Sequence, residues 1–163
     1  MTMKRFALPL CLVINVVSLG AHAEGGAIVP PIEHAATLKE CGACHLAFSP
    51  QMLPARSWKK LMADLANHFG ENASLPEATR AEIAAYLAAN AGDAALSRNG
   101  KYFLRGIDTA ETPLRITQTP FWQGVHEEVP AAYFTSAQVK TPANCVACHR
   151  TAAEGIFGEG EEE

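Results

Sequence analysis

The sequence predicts a mainly α fold, arranged as one small domain with long loops. Apolar residues recur with helical periodicity wherever a pattern exists, whereas the alternation typical of β-strands is weak. A chain of 163 residues is long enough for one domain and short for two, and no Ser/Gly-rich linker divides it. We therefore expect one hydrophobic core, built mainly from helices.

The N-terminal segment has the three parts of a secretory signal peptide. Lys4 and Arg5 precede an apolar run over residues 6–20, and an AHA motif ending at Ala23 supplies the small residues of a cleavage site. The run is shorter than the ~20 apolar residues that a membrane span requires. We predict that residues 1–23 are removed, and that the mature protein is periplasmic with no remaining membrane span.

The clearest helix lies in SWKKLMADLANHFG, residues 57–70. Ser57 is its candidate N-cap and Gly70 its candidate end. Between them runs an apolar stripe at helical spacing, formed by Trp58, Leu61, Met62 and Leu65. His68 follows Leu65 by three residues, so we expect its side chain on the same buried face.

The next helix is predicted in SLPEATRAEIAAYLAANAG, residues 74–92. Ser74 and Glu77 have the spacing of a capping box, in which each side chain bonds the backbone N–H of the other residue. Ile83 and Leu87 are one helical turn apart, so we expect both to face the core.

The rest of the chain has weaker patterns. Residues 93–119 are expected to form turns, with one short extended piece at PLRIT. A helical turn is predicted near Thr119–Pro120, and another helix from Thr141–Pro142. The domain is expected to span residues 24–155, and residues 156–163 to form an acidic tail that is disordered and solubilising.

Two copies of a C-x-x-C-H motif, at residues 41–45 and 145–149, carry the chemistry. Because Cys11 leaves with the signal peptide, the remaining thiols all belong to these motifs: Cys41, Cys44, Cys145 and Cys148. Two local disulfides would not explain the histidine after each pair, and the two pairs lie too far apart for common zinc-ribbon spacing. Covalent haem attachment uses every residue of the motif, because two thioethers hold the porphyrin and the histidine ligates iron.

We therefore predict two c-type haems, one bound through Cys41 and Cys44 and the other through Cys145 and Cys148. The mainly α domain would pack around them. Their proximal ligands would be His45 and His149. Removal of two cations, Lys4 and Arg5, changes the formal charge from −4 to −6, and no basic aromatic patch is present. That balance argues against binding to nucleic acid.

The opposite axial ligands must come from elsewhere in the chain. His68 is the strongest candidate, and His126 follows an aromatic pair in FWQGVHEEVP that would pack on a porphyrin. The interval from His45 to His68 equals that from His126 to His149, which favours local pairing but leaves a crossed arrangement open. His34 is the rival ligand, whereas the side chains of two methionines are expected to pack in the core: Met52 and Met62.

The motifs ECGACH, LPARSW, HFGENA, PLRIT and ANCVACHR together resemble those of the small exported dihaem cytochrome c family of proteobacteria. The resemblance covers residues from about 40 to 155. It implies a periplasmic electron carrier with two bis-histidine haems, in which His68 and His126 are the distal ligands. It also implies two partners, a membrane b-type cytochrome as electron donor and an oxygen-binding monohaem cytochrome c.

Two classes of function follow. The favoured one is a monomeric electron carrier, not an enzyme, with two low-spin bis-histidine haems. The alternative is a catalytic dihaem protein, a peroxidase or oxygen-reacting enzyme with one open haem site. Known dihaem peroxidases are larger and have two haem domains, and no separate acid–base cluster is evident in this sequence. A haem-based gas sensor is less favoured, because no output domain follows.

Overall fold

Short helices and turns make up most of the protein in this computed structural model, which describes residues 27–158. Within that range lie six α-helices: α1 (Ala35–Cys41), α2 (Ala55–Ala63), α3 (Glu77–Ala89), α4 (Gly100–Phe103), α5 (Pro120–Val125) and α6 (Ala131–Phe134). One small sheet consists of β1 (Ala27–Ile28) and β2 (Ile156–Phe157). The mainly α prediction is confirmed. The predicted signal peptide lies outside the described residues, and no helix within them is both long and apolar enough to span a membrane.

Helices α2 and α3 form the main hydrophobic core. Its buried members are Leu53, Trp58, Met62, Leu65, Ile83, Leu87 and Ala91. Trp58 is oriented by a hydrogen bond from its indole N–H to the carbonyl oxygen of Pro50, at 2.8 Å. Ile83 and Leu87 are 0% and 2% exposed, as their spacing on α3 predicted.

The first predicted helix is shorter than the apolar periodicity of its sequence indicated. Pro54 occupies the N-cap position of α2, whereas Ser57 is buried one turn later, so the prediction of Ser57 as the cap is wrong. The helix stops at Ala63 because Asp64 leaves the helical region, with φ −135° and ψ 52°. A 3₁₀ turn over Leu65–Asn67 follows. His68 therefore lies beyond the helix, and the predicted helical placement of its side chain is also wrong.

The predicted capping box at the start of α3 does not form. Pro76 is the N-cap residue and has no side-chain hydrogen bond to offer. The backbone N–H of Ser74 instead donates to the side chain of Asn72 at 3.0 Å, and Glu77 pairs with Arg80. Because the side chain of Asn72 accepts this hydrogen bond, the chain forms a turn before the helix, and Ser74 does not occupy the capping position.

Residues 93–119 are mostly turns, as predicted, apart from the short helix α4. Thr119 caps α5 by accepting a hydrogen bond from the backbone N–H of Trp122 at 3.3 Å. PLRIT contains no strand, and its last residues enter a 3₁₀ turn over Ile116–Gln118. The predicted helix at the second cysteine motif is only a 3₁₀ turn over Cys145–Ala147, and Lys140, just before the predicted start, has a positive φ of 69°.

The two ends of the described chain meet in the small sheet. β1 and β2 are antiparallel, and the N–H of Val29 donates to the carbonyl of Gly155 at 2.8 Å. A Cβ on Gly155 would collide with that strand, and its φ of 82° is a left-handed conformation that favours glycine. Residues 156 and 157, the first two of the segment assigned to the tail, thus form β2, whereas residues 159–163 lie outside the described range.

Beside this sheet lies a second hydrophobic cluster, formed by Val29, Met52 and Phe103. Phe48 and Phe157 pack against its surface, one from each end of the chain. The cluster therefore connects the loop after the first cysteine motif with the strand after the second.

Candidate functional site

The first cysteine motif begins at the last residue of α1. Gly42 caps that helix through an N–H bond to the carbonyl of Leu38 at 3.0 Å, and the chain then turns through Cys44 to His45. The Nδ1 of His45 lies 2.7 Å from the carbonyl oxygen of Leu46. Because a carbonyl only accepts, Nδ1 must carry the proton, which leaves the Nε2 lone pair of His45 available to a metal.

His68 faces this histidine from a tight turn. Its backbone exchanges two hydrogen bonds with Glu71, at 2.8 and 3.1 Å, while Phe69 and Gly70 have φ values of 57° and 101°. The ring centres of His45 and His68 are 6.2 Å apart, with 17° between the ring planes. The tertiary structure thus brings together the two histidines that were proposed for the first site.

The second cysteine motif lies on a 3₁₀ turn, and β2 orients its histidine. The Nδ1 of His149 lies 3.0 Å from the carbonyl oxygen of Gly158, the residue that follows β2. His126 ends α5, where its Nδ1 lies 2.9 Å from the carbonyl oxygen of Trp122. Its ring centre is 6.0 Å from that of His149, and the two ring planes are nearly perpendicular, at 84°.

The two pairs have the separation expected of axial ligands. Imidazoles on opposite sides of one metal ion, each with a metal–nitrogen bond of ~2.1 Å as for zinc, hold their ring centres roughly 6 to 6.5 Å apart. Both observed separations fall in this range. Burial is the main cause that lowers the pKa values of His68 and His126, and at His68 the charges of His45 and then Arg115 contribute as well. Each imidazole is thus neutral over a wider pH range, and the neutral form is the one that binds metal.

The cysteines are also suited to haem attachment. None of the four in residues 27–158 is disulfide-bonded. In each motif the first thiol is half-buried and the second exposed, and burial raises the pKa values of Cys41 and Cys145. The same part of the chain has no cluster of three or more His, Cys, Asp or Glu residues that would hold a bare metal ion. Two facing imidazoles suit an iron whose other four ligands come from a macrocycle.

His34 lies elsewhere and uses both of its ring nitrogens. It caps α1 through Nδ1, which accepts from the backbone N–H of Thr37 at 3.4 Å and lies 2.9 Å from the hydroxyl of the same residue. Its Nε2 is 3.1 Å from a carboxylate oxygen of Glu82. Its ring stacks on Tyr86 at 4.4 Å. His34 therefore joins α1 to α3 and has no nitrogen left for a metal. The sulfur-containing rivals are in the two hydrophobic clusters, as expected: Met52 and Met62.

Aromatic side chains surround the histidine pairs. Trp122, which was predicted to pack on a porphyrin, stacks on His126 at 4.3 Å, and Phe134 contacts both rings. Two other aromatic contacts were not predicted, Phe48 against His45 at 5.0 Å and Phe157 against His149 at 5.6 Å. Phe48 follows His45 by three residues, so its closeness in sequence was a usable signal of this contact. Phe157 had none, because only the β1–β2 pairing places it there.

One charged residue was also missed. The guanidinium carbon of Arg115 lies 3.8 Å from the ring centre of Phe69, which in turn meets the His68 ring edge-on at 4.8 Å. Arg115 is distant from both cysteine motifs along the chain, so local sequence patterns could not associate it with either site.

Comparison with known proteins identifies a family and solved structures that resemble this chain. The family model described as "Dihaem cytochrome c" matches residues 37–157. A solved diheme cytochrome c from Rhodobacter sphaeroides is 43% identical, with a TM-score of 0.72 over 79% of this chain and 100% of that chain. A diheme cytochrome from Shewanella baltica OS155 is 30% identical, with a TM-score of 0.61 over 78% of this chain and 97% of that chain. Curated protein sequences gave no significant match.

Proposed function

The chain belongs to the dihaem cytochrome c family, and we propose that it is a periplasmic electron carrier whose two haems are both bis-histidine and low-spin. Membership of this family means two covalently attached c-type haems, as the two cysteine motifs predicted. The bound haems supply one-electron Fe(III)/Fe(II) couples. The side chains of this protein would hold the haems, shield them from water and determine which further ligands reach the irons.

The proposed ligand sets follow the two motifs. Cys41 and Cys44 would attach one haem through thioether bonds, and His45 and His68 would ligate its iron. Cys145 and Cys148 would attach the other haem in the same way, and His126 and His149 would ligate its iron. The observation that carries this proposal is the separation of the two imidazole pairs, 6.2 and 6.0 Å between ring centres.

Occupied axial positions favour electron transfer over catalysis. An iron with two protein ligands has no position for peroxide or oxygen, so the catalytic alternative would require one histidine to leave. Three of the four rings are oriented by an Nδ1–H bond to a backbone carbonyl, and His126 is also stacked on Trp122. Ligands fixed in this way need little rearrangement when the iron changes oxidation state.

Export and partners belong to the same proposal. The predicted signal peptide supports a periplasmic location, where c-type haem attachment to an exported chain would take place. We propose that a membrane b-type cytochrome donates electrons to this protein and that an oxygen-binding monohaem cytochrome c accepts them. The support for both partners is the family resemblance of the sequence, and we expect the protein itself to be a monomer.

A spectroscopic experiment tests the ligation. The purified haem-loaded protein should give a wholly low-spin ferric spectrum, and the spectrum of the reduced protein should not change when carbon monoxide is added. A substantial high-spin fraction at neutral pH, or carbon monoxide binding by half of the haem, would favour the enzyme with one open site.

A further inference from the structure

The two imidazole pairs have different surroundings. At the second site both rings donate Nδ1–H to a backbone carbonyl, from His126 to Trp122 and from His149 to Gly158. At the first site His45 has such a bond, whereas the ring of His68 has no hydrogen-bond partner among residues 27–158. Arg115 contacts Phe69, and the Phe69 ring in turn contacts the His68 ring.

From this difference we infer that Arg115 and the unequal hydrogen bonding of the imidazoles give the His45/His68 site a higher reduction potential than the His126/His149 site. The inference rests on the proposed bis-histidine function. It predicts which site holds a single electron at equilibrium, and therefore the order of the two sites in the electron path.

The hydrogen bonds act through the basicity of the ligands. A ring N–H that donates to a carbonyl makes the opposite nitrogen a stronger electron donor. A stronger donor stabilises Fe(III) relative to Fe(II), which lowers the reduction potential. The second site has two such bonds and the first site has one, so the first site should be reduced more readily.

Arg115 acts in the same direction through its charge. Fe(III) carries one more positive charge than Fe(II), so a fixed cation nearby disfavours the oxidised state. The guanidinium carbon lies 3.8 Å from the Phe69 ring centre, and that ring centre lies 4.8 Å from the centre of the His68 ring. The ring also holds the guanidinium in place, because a cation over an aromatic face is attracted to it. The other Arg–aromatic contact in residues 27–158, Arg105 over Tyr102, touches neither histidine pair.

The ring planes provide a way to tell the two sites apart. Nearly parallel imidazoles, at 17°, split the iron d-orbitals strongly and give a rhombic low-spin EPR signal. Nearly perpendicular imidazoles, at 84°, leave two of those orbitals close in energy and give a low-spin signal with one large g-value. Each signal can therefore be assigned to one histidine pair without any substitution.

The experiment is an EPR titration of the haem-loaded wild-type protein poised at a series of potentials. We expect the rhombic signal to disappear first as the potential is lowered. A single electron should prefer that site at least tenfold at equilibrium, which corresponds to a difference of 59 mV between the potentials of two one-electron couples. Loss of the large-g signal first, or of both signals together, would overturn the inference. A high-spin ferric signal would instead refute the proposed ligation, so the two failures are distinguishable.

Three variants test the role of Arg115. R115Q should reduce the electron's preference for the first site by about fivefold. That is the order of magnitude expected when one charge acts on the iron through a partly solvated region. R115K retains the charge and should restore most of that preference. R105Q is the matched control, because it also removes an arginine from an aromatic ring, and it should leave the rhombic site unchanged. Equal shifts of both sites in R115Q would show a general charge effect and overturn the role of Arg115.

Discussion

Replacement of His68 by alanine tests the site most directly. We expect the variant to keep both haems, because thioether attachment does not involve the distal ligand. The turn that presents residue 68 should also persist, since its two hydrogen bonds with Glu71 come from backbone groups that alanine retains. The change should therefore remove one ligand and little else.

The size of the effect follows from the pairing. His68 faces only His45, while His126 and His149 form their own pair, so one of the two sites opens. Half of the total haem should become high-spin and bind carbon monoxide when reduced. The potential of that site should rise, because a donor that favours Fe(III) is lost. We expect a decrease in the free energy of unfolding of about 1 kcal/mol, typical of a substitution at a partly buried position.

His34→Ala is the matched control. It removes a side chain that caps α1 and pairs with Glu82, so we expect a loss of about 1 kcal/mol in unfolding free energy, as for other lost N-caps. Both irons should stay low-spin. Optical spectra with and without carbon monoxide, combined with chemical denaturation of both variants, make the comparison. If His34→Ala opens a site and His68→Ala leaves both closed, the assignment of His68 is refuted.

Three further predictions concern processing and the packing that holds the sites. Mass spectrometry of the exported protein should find a chain that begins near Glu24 with two haems, and a product that retains the N-terminal segment would contradict the signal peptide. Gly155→Ala should lower the unfolding free energy by ~2 kcal/mol or more, because a left-handed residue gains a Cβ that collides with Val29. Gly158→Ala, whose Cβ would meet nothing within 4 Å, is the control, and equal stability of the two variants would count against the β1–β2 contact. Trp58→Phe should cost about 1 to 3 kcal/mol by denaturation, because a buried carbonyl loses its indole donor; an unchanged midpoint would show that the bond contributes nothing.

The chemistry was predictable because it depends on consecutive residues. Five positions in a row specify thioether attachment and one axial histidine, wherever the motif lies in the fold. The inward side of α3 was predictable for a similar reason, since Ile83 and Leu87 are one turn apart on the same helix. The start of α5 at Thr119–Pro120 also depended only on local capping preferences.

Local pattern failed where single residues redirected the chain. The apolar stripe continued past Ala63, but Asp64 left the helical region and placed His68 on a turn. His68 nevertheless lies opposite His45, with ring centres 6.2 Å apart, on a turn in which Phe69 and Gly70 both have positive φ. Helical periodicity contains no information about such turns, since their direction is decided by one or two backbone angles.

By itself, the sequence determined the covalent haem chemistry and the helical character of the core, and it supplied the candidate proximal histidines. Only the tertiary structure decided which candidate distal histidine faces which motif, and why His34 faces neither. It also brought Arg115 to one pair and the Gly158 carbonyl to the other. The physical reason is the separation in sequence of the residues involved. Bonding to a porphyrin edge is specified by neighbouring residues, whereas the pairing of histidines and the placement of charges depend on distances between segments far apart in sequence. Those distances are set by core packing and by the β1–β2 contact, which no short motif encodes.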